Sequence, residues 1–330
     1  MADTARPHLL LVNLGTPDAP TPGAVRAFLS EFLSDPAVVD LPRWLWRPIL
    51  KLFVLRSRPR RVAAMYRSVW SDRGSPLRVA TERMAYAAGA AAAGGCTVSC
   101  AYRYGEPSLD SEMRRLAREQ DGPVVVVPLF PHRTDATTGT AFKRAREAAS
   151  RAGIAHRYNE ALVAPTDAGY VAALTDRCRA AFGDGGSRPD HLVISFHGIP
   201  VRYDRRERGQ YTRDCEETAR ALLDALQWPA EQATLAYQSK FGPEPWLTPA
   251  TAPVIEALGR RGVRRVAVVT PGFLTHGLET LEEIAIRARE SFVEAGGGEL
   301  RLVDTVEDHP AMIGSLVRLA TARSGSACIA

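Results

Sequence analysis

Eight short apolar runs recur along the chain: LLLVNL, TVSCAY, VVVVPLF and IAHRY, then HLVISF, ATLAYQ, RVAVVT and ELRLVD, with helically spaced stretches between them. Their hydrophobicity is continuous rather than alternating, which predicts strands buried on both faces. The intervening helices predict right-handed crossovers and therefore parallel sheets. The chain reads as α/β, with two similar Rossmann-like domains, each a four-stranded parallel sheet flanked by helices. Residues 1–162 form the first domain and residues 163–330 the second.

The halves echo one another in order: NLGTP against SFHGIP, AYRYGEPSL against AYQSKFGPEPWL, VVVVPLFPH against VAVVTPGFLTH. A duplication is the natural reading. The first half carries an insertion between its first two strands. There TPGAVRAFLSEFLSD opens with Pro22 in its first turn and sets Val25, Phe28, Leu29, Phe32 and Leu33 on one helical stripe, and RVAAMYRSVW does the same with Val62, Met65, Tyr66 and Val69. Between them, LPRWLWRPILKLFVL is interrupted by Arg43, Arg47 and Lys51, and Pro48 is expected to break or restart any helix. One reading of this segment is a core helix with a solvated basic stripe. The other is an apolar lip lying on a membrane surface, its basic residues meeting acidic headgroups.

Composition, at 45% hydrophobic and 24% charged, is that of an ordinary globular chain. No run reaches the roughly 18 apolar residues of a membrane span, and the start has no secretory pattern, so a cytoplasmic protein is expected. The five cysteines, at 96, 100, 178, 215 and 328, include no CxxC pair, which argues against a disulfide framework or a structural zinc site. A net charge of +5 favours acidic partners without choosing among carboxylate ligands, anionic lipid and nucleic acid.

Ligands of doubly wound sheets bind at the carboxyl ends of the strands, so the residues after each apolar run are the informative ones. Neither GxGxxG nor GxxxxGK[ST] occurs at any of these turns, which disfavours a nucleotide cofactor, and no GxSxG elbow supports acyl transfer. What remains is His197, after the first apolar run of the second half, and His276, Glu279 and Glu283, after the third. If the last three lie on one helix, their spacing places them on one face, where a histidine and carboxylates suit a dication or a pair of proton acceptors. The plain alternatives are a histidine satisfied by backbone in a tight turn, and a solvated helix face on which Glu283 pairs with Arg287.

The segments NLGTPDAPT, GSPL, AYRYGEPSL, TTGT, SFHGIP, YQSKFGPEPWLTP and PGFLTHGLETLEEI resemble the ferrochelatase family, in order and over nearly the whole chain. The resemblance implies a chelatase-like fold and a lyase of haem biosynthesis that inserts ferrous iron into protoporphyrin IX. It implies His197 and Glu279 as catalytic residues and metal ligands, and Glu283 as a further carboxylate on the path from that site. His276 stands where the family usually has Asp, and an imidazole there can still bind metal or accept a proton. Asn13, Leu14, Phe28, Leu29, Arg58, Tyr66, Ser75, Arg103, Tyr104 and Trp246 are the porphyrin-binding residues it implies or supports. Porphyrin and ferrous iron are the expected partners and nucleic acid is not. No cofactor is required, iron being a substrate. Some relatives carry an iron–sulfur cluster on clustered C-terminal cysteines, but this tail supplies only Cys328, so no cluster is expected. The competing readings are a coproporphyrin ferrochelatase, a cobalt or nickel tetrapyrrole chelatase, and a non-catalytic haem or porphyrin carrier.

Overall fold

The structure, a computed structural model, describes residues 6–119, 121–183 and 188–322. They divide into two compact units: residues 6–129, 135–162 and 316–322 make one, and residues 130–134 and 163–315 the other. The division is therefore not a single cut after residue 162. Cys328, on which the expectation of no iron–sulfur cluster rests, lies outside the described residues.

In the first unit, β1 (His8–Asn13), β2 (Thr97–Tyr102), β3 (Val124–Pro128) and β4 (Tyr158–Glu160) form a parallel sheet in the order β2-β1-β3-β4. In the second, β5 (His191–His197), β6 (Ala233–Gln238), β7 (Arg265–Val269) and β8 (Glu299–Leu302) repeat that order as β6-β5-β7-β8. The central strands are buried on both faces, as continuous apolar runs require. Leu9 to Val12 and Val124 to Val127 are fully buried, with Met113, Leu116 and Phe142 packed on one face of the first sheet. Ile255, Ile284 and Phe292 cover one face of the second.

The duplication extends to hydrogen bonds. β1 and β5 each begin with a histidine bonded to a threonine of the neighbouring strand, His8 Nδ1 to Thr97 Oγ1 at 2.7 Å and His191 Nε2 to Thr234 Oγ1 at 2.9 Å. β2 and β6 each end where a tyrosine N–H meets a returning proline carbonyl, Tyr102 to Pro107 at 2.8 Å and Tyr237 to Pro249 at 2.9 Å.

Two local expectations are corrected. The IAHRY run is not itself the fourth strand: Ala155–Arg157 forms a 3-10 turn, Ile154 is buried in the core beneath the preceding helix, and β4 starts at Tyr158. Pro48 does not break the insertion's helix. Arg43–Ile49 passes into a π turn at Leu50–Val54 and on into Leu55–Val69, so the proline's missing N–H is accommodated beside a widened turn. Among the described residues, no helix is long and apolar enough to cross a membrane.

A buried imidazole, His132, lies in the second unit, its ring edge-on to Phe196 at 4.8 Å. Thr218 donates its hydroxyl to the Pro165 carbonyl at 2.8 Å, so His132 Nε2, 2.9 Å from that oxygen, carries the ring hydrogen and donates it. Burial pushes the His132 pKa down to about 3, and burial also pushes His8 down to about 4. Both rings stay neutral in the fold, whereas in the unfolded chain they take up protons below about pH 6.5. Their contribution to stability is therefore fully present above that pH and is lost as pH falls toward 4 and then 3. The expected outcome is a denaturation midpoint that drops between pH 7 and 5 in wild type and drops less in His132→Gln. An equal drop in the variant would show that His132 does not drive it.

Candidate metal-binding active site

β5 ends at His197, and the turn that follows presses against β6. A Cβ on Gly198 would come 2.7 Å from the Gln238 carbonyl oxygen and 3.2 Å from the Trp246 ring, so only glycine fits. The Gly198 N–H donates to that carbonyl at 2.8 Å. His197 Nδ1 lies 2.6 Å from the Gly198 carbonyl oxygen, which can only accept, so Nδ1 carries the hydrogen and the neutral ring keeps its lone pair on Nε2. The backbone therefore satisfies one ring nitrogen and leaves the other as a metal ligand or proton acceptor. Tyr211, which sequence reasoning did not single out, donates its hydroxyl to the His197 carbonyl at 2.6 Å. Trp246 is half-buried against Gly198, and its Nε1 is buried without a hydrogen-bond partner among the described residues.

Glu279 belongs to Leu278–Thr280, a single helical turn that widens into a π segment at Leu281–Ala288 and tightens again at Arg289–Glu294. π turns recur at functional sites because they displace side chains from α-helical register. Gln238 Nε2 donates to the Glu279 carbonyl at 2.6 Å, and Gln238 Oε1 accepts from Ser195 at 2.7 Å, which ties this turn to β5 and β6. Burial holds the Glu279 carboxyl above the usual carboxylate range; the His197 imidazole works in the opposite direction, and Glu283 and Glu282 add to the rise. His197 and Glu279 thus act on one another electrostatically within one unit.

Glu283 is held by Ser239, whose N–H and hydroxyl donate to its two oxygens at 2.8 and 2.6 Å from a left-handed residue at φ +65°. It does not pair with Arg287, whose Nε donates to Glu282 at 2.9 Å. His276 is the correction to the shared-face reading. It precedes the helix, before an extended Gly277, and its ring turns to Asp304 (Nε2 to Oδ1, 2.6 Å) and Thr280 (Nδ1 to Oγ1, 3.0 Å).

The resemblance-derived residues of the first unit are used in two ways. Asn13, Ser75, Arg103 and Tyr104 form side-chain hydrogen bonds within the unit. Asn13 donates to Thr81 at 2.8 Å and accepts from Leu14 N–H, and the Ser75 and Thr16 hydroxyls pair at 2.8 Å. Arg103 binds Asp35 and, through Nε, Thr140 at 2.8 Å; the buried Tyr104 donates to Asp35 at 2.9 Å. Leu14, Phe28, Leu29, Arg58 and Tyr66 are only half-buried, Phe28 stacking on Phe32 at 5.9 Å and Tyr66 meeting Trp70 edge-on at 5.8 Å. Asp35 was missed. Burial opposes its charge, but hydrogen bonds from Ala37, Thr140 and Tyr104, with Arg103 alongside, hold its carboxyl below the usual range. Its only sequence signal is an Asp before Pro at the end of an amphipathic stretch, which reads as an ordinary turn.

The sequence model of the ferrochelatase family matches residues 7–324. The chain is 42% identical over 323 residues to the ferrochelatase of Enterobacter sp. (strain 638), a match covering 97% of this chain and 99% of that one. It is 42% identical over 318 residues to the ferrochelatase of Sodalis glossinidius, covering 95% and 93%. Among solved structures it is similar to SirB from Bacillus subtilis with Fe3+, at a TM-score of 0.53 and 13% identity over 97% of this chain and 98% of that one, a likeness of fold alone. Identity at that level along nearly the full length of both chains, together with the family match, means that this protein belongs to the ferrochelatase family.

Proposed function

We propose that the protein inserts Fe(2+) into protoporphyrin IX to give protohaem, releasing two protons. The observation that carries this reading is the His197–Glu279 pair: an imidazole whose Nε2 lone pair is fixed by backbone, set against a desolvated carboxyl. A dication entering a free-base porphyrin must be delivered while two pyrrole protons leave, and the two residues divide that work as ligand and proton acceptor. Glu283, clamped by Ser239, raises the proton affinity of Glu279 and offers the next carboxylate outward. The planar ring presents its nitrogens poorly, so binding energy from apolar contacts is spent on distorting it, at a strain on the order of 1 to 5 kcal/mol. The metal enters and leaves as ferrous ion, so the reaction calls for no redox cofactor.

The remaining resemblance-derived contacts, Leu14, Phe28, Leu29, Arg58 and Tyr66, belong to the first unit, and their role toward the macrocycle is part of the proposal. Trp246, beside His197, is the contact we assign to the second unit. Protoporphyrin is favoured over the more acidic coproporphyrin by the apolar exposure of the insertion, where Trp44 is 79% and Phe53 67% exposed. The same exposed residues, with Arg43, Arg47 and Lys51 exposed among them, support a cytoplasmic protein whose lip rests on the inner face of the membrane.

Mixed anaerobically with ferrous iron and protoporphyrin, the purified protein is expected to convert the porphyrin spectrum over many turnovers, and His197→Ala to lower kcat at least about 100-fold at saturating substrates. Tight porphyrin binding without metallation would favour a carrier instead, and full activity of His197→Ala would remove the histidine from the mechanism. In flotation with anionic vesicles, Arg47→Gln is expected to weaken binding by about 1 kcal/mol, roughly fivefold, and Trp44→Ser with Phe53→Ser to weaken it further. Wild-type protein that stays with the soluble fraction would refute the membrane reading.

A further inference from the structure

The peptide unit between His197 and Gly198 is held at both ends. Its N–H, on Gly198, donates to the Gln238 carbonyl at 2.8 Å, and its carbonyl, on His197, accepts the Tyr211 hydroxyl at 2.6 Å. A peptide unit is planar, so two such contacts fix the orientation of its plane. That orientation sets ψ of His197 and φ of Gly198, and with them the place of the Gly198 carbonyl that receives the hydrogen of His197 Nδ1 at 2.6 Å. The clamp comes from two elements: Gln238 ends β6, and Tyr211 lies in the first turn of the helix Gln210–Leu226.

Tyr211 is itself firmly placed. Its helix follows Gly209, a left-handed residue at φ +70°. The buried Asp204 accepts from the Thr212 N–H at 3.2 Å and from the Thr212 hydroxyl at 2.7 Å, which ties this first turn to the helix Val201–Arg206. The His132 ring lies edge-on to Phe196 at 4.8 Å and to Tyr211 at 6.4 Å, so one buried imidazole backs both the residue before His197 and the tyrosine. Tyr211 is 4% exposed, and burial pushes its hydroxyl pKa well up, so the group keeps its hydrogen.

We propose that Tyr211 is a positioning residue for His197: by holding the His197–Gly198 peptide, it keeps the ring hydrogen on Nδ1 and leaves Nε2 free. Enclosed as it is, Tyr211 acts through His197 rather than by touching substrate. Its effect on turnover rests on the reading of His197 as metal ligand or proton acceptor; its effect on the ring stands on the geometry alone. Without the hydroxyl, the carbonyl loses a buried donor and the peptide plane is released on one side. The Gly198 carbonyl then no longer stays in line with Nδ1–H, and the ring hydrogen gains access to Nε2.

Tyr211→Phe preserves the ring and removes the hydroxyl. Its two readouts are a long-range proton–nitrogen correlation of the His197 ring, at a pH where the ring is neutral, and anaerobic metallation of protoporphyrin by Fe(2+). The variant is expected to show part of the His197 signal in the Nε2–H form, with kcat lowered about 10-fold and the porphyrin KM changed by less than about twofold. A lower melting temperature with the tautomer unchanged is what a purely structural hydroxyl gives, and it would overturn the proposal. Wild type supplies a check that needs no variant: the Tyr211 hydroxyl proton is expected to exchange slowly with solvent, and rapid exchange would count equally against the clamp. His197→Ala, assayed alongside, separates the two claims. Full activity there removes the histidine from the mechanism, whereas a wild-type tautomer in Tyr211→Phe removes the tyrosine from its positioning role.

Discussion

The hydrogen bond from His197 Nδ1 to the Gly198 carbonyl determines what the active site can be. It places the hydrogen on one ring nitrogen and the lone pair on the other, which presets the ring for the ligand role proposed for it. That carbonyl is where it is because Gly198 lacks a side chain and β5 can turn tightly against the Gln238 backbone and Trp246. The same Gln238 reaches the Glu279 carbonyl through its side chain. One residue at the end of β6 therefore positions both the histidine's turn and the carboxylate's helix.

The duplicated architecture sharpens this point. Gly15 in the first unit occupies the place of Gly198 in the second, where a Cβ would run into the Tyr104 carbonyl oxygen, so the tight turn is present in both copies. Leu14, however, stands where His197 stands, and the strand ends around it are occupied by Asp35 bound to Arg103, Tyr104 and Thr140. The copy without a histidine at this turn joins its strand-end polar groups to one another. Its distinguishing feature is the inserted helical segment, whose Trp44, Leu52 and Phe53 remain exposed.

Much of this was legible in the sequence because it is local. Runs such as LLLVN and VVVV can be satisfied only by strands covered on both faces, and both became central strands. His197 and Glu279 were visible as chemistry-bearing residues just after apolar runs, although pairing them required the family resemblance. What was not legible depends on distant partners. The turn of His276 toward Asp304 is set by a loop after β8, the pairing of Arg287 with Glu282 rather than Glu283 follows from Ser239 already holding Glu283, and Asp35 matters only because Arg103, Tyr104 and Thr140 meet it. Pro48 shows the limit of a local rule: a π turn beside it lets the helix continue.

The central claim is that backbone geometry presets His197 as a metal ligand through Nε2, and a long-range proton–nitrogen correlation spectrum of uniformly 15N-labelled protein reads the tautomer directly. At a pH where the ring is neutral, the Nδ1–H form is expected, with Zn(2+) shifting the Nε2 resonance. An Nε2–H form, or a Zn(2+) titration that leaves both ring nitrogens of His197 unmoved, would contradict it.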